Sequence, residues 1–234
     1  MNYNYFINTI FGDYIKISLD TSFDLKNIIC LYFYDLKDII NLYNLDKDHQ
    51  DNILITNLYD IPIKYLKKLN QQIIEQNKYK NVEKLRVKNR NIKNLNHMKN
   101  NLKILDCCFE FDYNYIGNMS TIDQEGISEL NLIQLNANSN EKIKNVNHMK
   151  NTLKILYCWG VSGIDQNGIS ELNLIELYAW NNEKIKDVNH MKKTLKILNC
   201  SSNSGIDQNG ISELNLIKLN AIYNNKITNV NLIK

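Results

Sequence analysis

A chain of 234 residues with 44% apolar and 23% charged side chains has the make-up of a soluble, folded protein. Its formal charge of +3, with lysines interleaved among acids, argues against a nucleic-acid surface. No run approaches ~18 consecutive apolar residues, and Met1 to Tyr14 lacks the basic start and apolar core of a signal peptide, so no membrane contact is expected and the location should be intracellular, in the cytoplasm.

Residues 1–81 carry no obvious repeat. Leu36, Ile39, Ile40 and Tyr43 have helical spacing, as do Ile63, Leu66 and Ile73 behind Asp60 and Pro62, which suit a helix start. A mostly helical region here would cap a solenoid at its first unit. The stretch Asp24 to Lys47, D-L-K-N-I-I-C-L-Y-F-Y-D-L-K-D-I-I-N-L-Y-N-L-D-K, resembles a degenerate F-box, without the usual Leu-Pro opening or closing Trp. That resemblance implies docking to an adaptor of a ubiquitin ligase, with the following repeats selecting the substrate. A plain cap and an adaptor-docking module both remain open.

From residue 82 to 234 the chain repeats. Leu132, Leu153, Leu174, Leu195 and Leu216 follow one another at intervals of 21 residues. Counting each as position zero, Leu recurs at +3, Ala or Cys at +5 and Ile at +11. Position +8 is Asn140, Asn182, Asn203 or Asn224, interrupted by Val161. Irregular units open at Val82 and Leu102, giving about seven in all. Positions 0, +3 and +5 fit a short strand with its apolar residues turned inward, and no unit of this size buries that face alone. Successive units must stack, placing equivalent strands side by side, roughly 4.8 Å apart. The +8 Asn can serve backbone groups of the turn leaving the strand.

The pattern L-x-x-L-x-[AC]-x-x-N-x-x-I resembles the leucine-rich-repeat family over about two thirds of the chain. It implies an α/β solenoid, a right-handed superhelix with a parallel sheet on its concave face. Units alternate between an Ala type and a Cys type, so the longer period is 42 residues. The 40 asparagines suit strongly A/T-biased coding. A degenerate F-box followed by Asn- and Ile-rich repeats also resembles proteins of amoeba-infecting giant viruses, which would place the chain in host cytoplasm.

Chemistry-bearing residues mostly read as structure. Cys158 and Cys200 sit at inward +5 positions two units apart, roughly 9.6 Å at two strand spacings, beyond disulfide reach. His97, His148 and His190 recur in N-H-M tripeptides without a compact ligand set, and no metal is expected. Asp123, Asp165 and Asp207, with Glu129, Glu171 and Glu213, read as solvated turn residues rather than a calcium site. No nucleotide-binding loop, nucleophile elbow or zinc-protease motif occurs, so neither catalysis nor a cofactor is expected.

The informative positions are +2, +4 and +6, which point outward from each strand. Both tryptophans of the chain, Trp159 and Trp180, fall in one such column on adjacent strands, beside Tyr157 and Tyr178, with Ile155 and Glu176 next in line. Aromatic side chains of this size are the ones most enriched at binding hot spots. The alternative is a cross-strand ladder that serves only the sheet. Lys84, Arg86 and Lys88 form a cationic edge on the first unit, read as a solvated face. The unit at Leu102 is nine residues longer than the rest, and the excess falls within Phe109 to Thr121, with Phe109, Phe111, Tyr113 and Tyr115. Insertions in repeat proteins emerge as loops on one face, often the binding face.

These readings converge on a non-enzymatic module that binds a protein partner. A ubiquitin-ligase substrate adaptor and a carbohydrate-binding platform are the alternatives. The last unit reaches Lys234 without a polar capping unit, so a homodimer through this apolar edge is a further expectation.

Overall fold

The structure is a computed structural model that describes residues 4–8, 14–18, 56–59, 66, 69–87, 90–108 and 121–229. Strands β1 (Asn4–Asn8) and β2 (Tyr14–Ser18) pair antiparallel. The mostly helical expectation for residues 1–81 foresaw no strand at these positions, and most of that region lies outside the described residues. In β2 the alternation Y-I-K-I-S has the period of two that a strand imposes. The helical spacings over Leu36–Tyr43 and the F-box-like stretch lie outside the described residues.

The remaining strands form one open sheet of eight, all parallel and in sequence order. They are β3 (Asn57–Leu58), β4 (Lys84–Arg86), β5 (Ile104–Asp106), β6 (Gln134–Asn136), β7 (Ile155–Tyr157), β8 (Glu176–Tyr178), β9 (Ile197–Asn199) and β10 (Lys218–Asn220). Each strand pairs with the next in the register of the 21-residue repeat: Leu135 lies against Leu156, Leu156 against Leu177 and Leu177 against Leu198. Such stacking of coils is a solenoid-like repeat architecture. The sheet starts one strand before the first unit legible as a repeat, since Leu58 pairs with Leu85. After β3, the short helix α1 (Gln71–Ile74) is capped by the Asn70 side chain, which accepts the Ile73 N–H. From β4 onward, each described link between strands contains a short 3₁₀ turn, such as Asn147–Met149 or Asn167–Ile169.

Positions 0, +3, +5 and +11 form one continuous core from Leu58 to Leu214. Polar ladders hold the coils in register outside it. Asn182 is buried after β8, and its Nδ2 donates to the carbonyls of Cys158 and Ile164 in the preceding coil. Asn140 and Asn224 make the equivalent bonds. On the outer turns the Gln166 Oε1 accepts the N–H groups of Lys186 and Asp187, and its Nε2 donates to the Asp187 carbonyl. Gln124 and Gln208 repeat this bridge, and Gln71 makes it at the start of the stack.

The expectation for the turn aspartates needs correction, while the glutamates are exposed as expected. Asp123, Asp165 and Asp207 are not merely solvated, because each Oδ1 accepts the N–H of the glycine three residues on. That glycine is sterically required: a Cβ on Gly168 would lie 2.0 Å from the Lys144 carbonyl oxygen of the preceding coil. Glu129, Glu171 and Glu213 pair with Lys99, Lys150 and Lys192 at 2.5–2.6 Å, with side chains about half exposed. Such pairs contribute at most ~1 kcal/mol each.

The histidines also join coils. The Nε2 of His97, His148 and His190 lies 3.3, 3.1 and 3.1 Å from the carbonyls of Ile74, Ile127 and Ile169. A carbonyl only accepts, so each Nε2 must carry the proton. Burial lowers the His148 pKa below its ordinary 6.5, outweighing the hydrogen bond to Ile127, which raises it. Its neutral ring is therefore favoured by folding. The contribution is complete above the unfolded value and is lost as pH falls through the lowered one. Urea midpoints should drop between about pH 7.5 and about pH 5, and His148→Gln should flatten the slope; parallel profiles would sink the assignment.

At the far edge, Ile217, Ile222 and Tyr223 are 82, 61 and 85% exposed on and around β10. Residues 230–234, which follow, lie outside the described residues. No helix among the described residues is long and apolar enough to cross a membrane.

Candidate functional site

In-register stacking carries the +2, +4 and +6 residues of each unit into columns across one face of the sheet. On β7 and β8 two aromatic pairs stand in those columns. The rings of Tyr157 and Tyr178 stack with centroids 4.4 Å apart and 8° between planes. Those of Trp159 and Trp180 stack at 4.3 Å and 22°. The spacing nearly equals the distance between neighbouring strands, so in-register pairing itself sets the rings face to face. All four side chains are half-buried, as are Ile155 and Glu176.

Each ring spends one face on its neighbour. The stack therefore presents its ring edges, with the outer faces turned toward the register neighbours on β6 and β9. At the edge, the Tyr178 hydroxyl donates to Glu176 Oε2 at 2.8 Å. Burial and then this carboxylate push the Tyr178 phenol up to about 12, so it remains a donor at neutral pH. Burial, followed by the charge of Glu176, raises Tyr157 as well.

Neighbouring units show what the fold asks of these columns. In four of them the +4 residue is Asp106, Asn136, Asn199 or Asn220, and its side-chain oxygen accepts the N–H two residues on. This local bond closes the end of the strand. Tyr157 and Tyr178 give it up. For Trp159 the N–H is recovered by Asn138 Oδ1 from the adjacent coil at 3.1 Å. At Trp180 the adjacent residue is Trp159, which has no acceptor, and among the described residues the Trp180 N–H forms no hydrogen bond. Tyr178 thus costs a bond worth about 1 kcal/mol that the fold uses elsewhere.

Toward β3 the outward face differs from the sequence expectation. Arg86 is no solvated cation: its guanidinium lies 4.4 Å from the Tyr59 ring centroid, and its Nε is 3.2 Å from Asp106 Oδ2. Aligning the +4 column would have revealed the pair, since Arg86 and Asp106 are register partners. Asp106, Cys108 and Asn138, read as outward, are buried, the first two through the turn bond from the Cys108 N–H to Asp106. Lys88 and the insertion with Phe109, Phe111, Tyr113 and Tyr115 lie outside the described residues. A depression of about 310 Å³ is lined by Glu183, Ser202, Asn203, Tyr223 and their neighbours, away from the aromatic columns.

The inward cysteines are inert by the same packing. Burial pushes the Cys158 and Cys200 thiols up to about 12, against hydrogen bonds from Asn182 and Asn224 that lower them. Iodoacetamide at neutral pH should leave both unlabelled in the folded protein and label both in denaturant. Labelling of native Cys158 by mass spectrometry would contradict the buried placement.

Fold and site together define a solenoid-like repeat protein that displays side chains from an open parallel sheet. Comparison with protein-family models, with curated protein sequences and with solved structures gave no match to this chain.

Proposed function

We propose that this chain is a leucine-rich-repeat solenoid, a right-handed superhelix with its sheet on the concave side, and that it binds a protein partner without catalysis. The partner meets Tyr157, Trp159, Tyr178 and Trp180, with Ile155 and Glu176 at the margin. The observation that carries the reading is the pair of aromatic stacks, held where neighbouring units place small polar residues that suit the turn better. A departure from the locally favoured residue is expected where function rather than folding selects the side chain. The half-buried, edge-presenting aromatics also match the composition of interface hot spots.

The test is affinity capture from cell lysate with wild type and a Trp159→Ala/Trp180→Ala variant, both shown to be folded by circular dichroism. Loss of a hot-spot residue typically costs at least ~2 kcal/mol, so the variant should retain a few per cent or less of the captured partner. Equal capture by both would assign the stacks to the sheet alone.

A further inference from the structure

We infer that the partner presents an arginine to the β9-facing end of the aromatic stack, where the guanidinium lies on Tyr178 and pairs with Glu176. The inference rests on the aromatic columns being the partner site. Tyr178 stacks on Tyr157 through one face, and register pairing turns the other toward Asn199 of β9. Asn199 does not cover that face with its amide oxygen. The oxygen is turned along its own strand, accepting the N–H and hydroxyl of Ser201 at 3.2 and 2.8 Å. Beside it, Trp180 stacks on Trp159 through one face, and the next unit carries the small Ser201 at the same repeat position. The end of the stack is thus a step: two aromatic faces above two short polar residues.

Charge selects what fits there. Glu176 is half-buried, flanked in register by Ile155 and Ile197, and forms no ion pair among the described residues. Its Oε2 accepts the Tyr178 hydroxyl, which fixes the carboxylate at the far end of the ring and leaves Oε1 to accept from a ligand. A planar cation on the ring therefore reaches the carboxylate sideways. Arginine suits this better than lysine: its guanidinium is flat, weakly hydrated and forked toward carboxylates, whereas an ammonium is compact and holds its water. The same sheet already builds the arrangement once from its own residues. In the +4 column Arg86 lies over Tyr59 and pairs with Asp106. At Tyr178 the ring and the carboxylate are present, and among the described residues no cation pairs with them, so the place is left for one from the partner.

The probes are blocked Gly-Gly-Arg-Gly-Gly, its lysine counterpart and its citrulline counterpart, titrated into the full chain. Tryptophan fluorescence and NMR shifts of the indole N–H groups report binding. The arginine peptide should bind roughly threefold to fivefold more tightly than the lysine peptide, the value of a surface cation–π contact, and citrulline should bind weakest. Glu176→Gln should erase the preference. Equal shifts for the three peptides, no shift for any, or a preference surviving in Glu176→Gln would overturn the inference. A captured partner that is lost by Trp159→Ala/Trp180→Ala yet held equally by Glu176→Gln would also overturn it, while leaving the aromatic site in place.

Discussion

A variant carrying Tyr157→Asn, Trp159→Ser, Tyr178→Asn and Trp180→Ser should fold, unfold cooperatively and bind no partner. The substitutions copy onto β7 and β8 the outward residues of the next unit, Asn199 and Ser201, which the same coil geometry already accommodates. Each lost stack removes about 1 kcal/mol, and lost burial adds a similar amount. The new asparagine beneath position 180 returns the strand-closing bond that Tyr178 gave up, about 1 kcal/mol in the other direction. A net loss of about 2–3 kcal/mol is well within the stability of an ordinary domain. Binding should fall more than a hundredfold, because the variant deletes every aromatic of the site at once. Thermal unfolding and capture are measured on the same preparation. A variant that cannot fold would make the stacks structural; one that folds and captures normally would remove the site from this face.

The columns of the site were legible in the sequence for a simple reason. The repeat length is constant over Leu132 to Leu216, so counting from each Leu gives the strand register directly, and Tyr157, Tyr178, Trp159 and Trp180 fall into line. The core followed from the same count, since apolar residues recur at positions that one coil cannot bury by itself. What the count could not give was side-chain direction in the turns. Val161 stands where other units have Asn and broke the expected ladder; in the structure it is 53% exposed. In the Cys-type units the inward polar place after the strand belongs to Ser162 and Ser204, one position later and fully buried. Asn203 is exposed for the same reason, although its letter fits the pattern. The 42-residue period therefore has a structural meaning: the Asn of each Ala-type coil donates to carbonyls of the coil before it, whereas Ser162 and Ser204 of the Cys-type coils accept the N–H two residues on, from Ile164 and Ile206. Strand β3 carries no periodic signal, because it has only two residues and a single buried Leu58.

That division of labour sets the largest expected effect on stability. Asn182→Ala should lower stability by about 3 kcal/mol, because three hydrogen bonds vanish in a dry interior. The Cys158 and Ile164 carbonyls lose their donor at 2.8 and 3.1 Å, and the Lys184 N–H loses its acceptor at 3.0 Å. At 1% exposure, water has no ready route to replace them. For a chain of this size the loss corresponds to a melting temperature lower by about 6–12 °C. Asn203→Ala, at the same repeat position one coil later, should change stability by no more than ~0.5 kcal/mol. Val161→Asn, the substitution that the repeat consensus recommends, should bring no gain, since the side chain it restores faces water. Calorimetry on the three variants decides the matter. Equal losses at Asn182 and Asn203, or a clear gain at Val161, would mean that the two coil types are not built differently. The consequence reaches the site, because Asn182 anchors the turn that leaves Trp180. If that turn loosens, the Asn182→Ala protein should also hold its partner more weakly at temperatures where it is still folded.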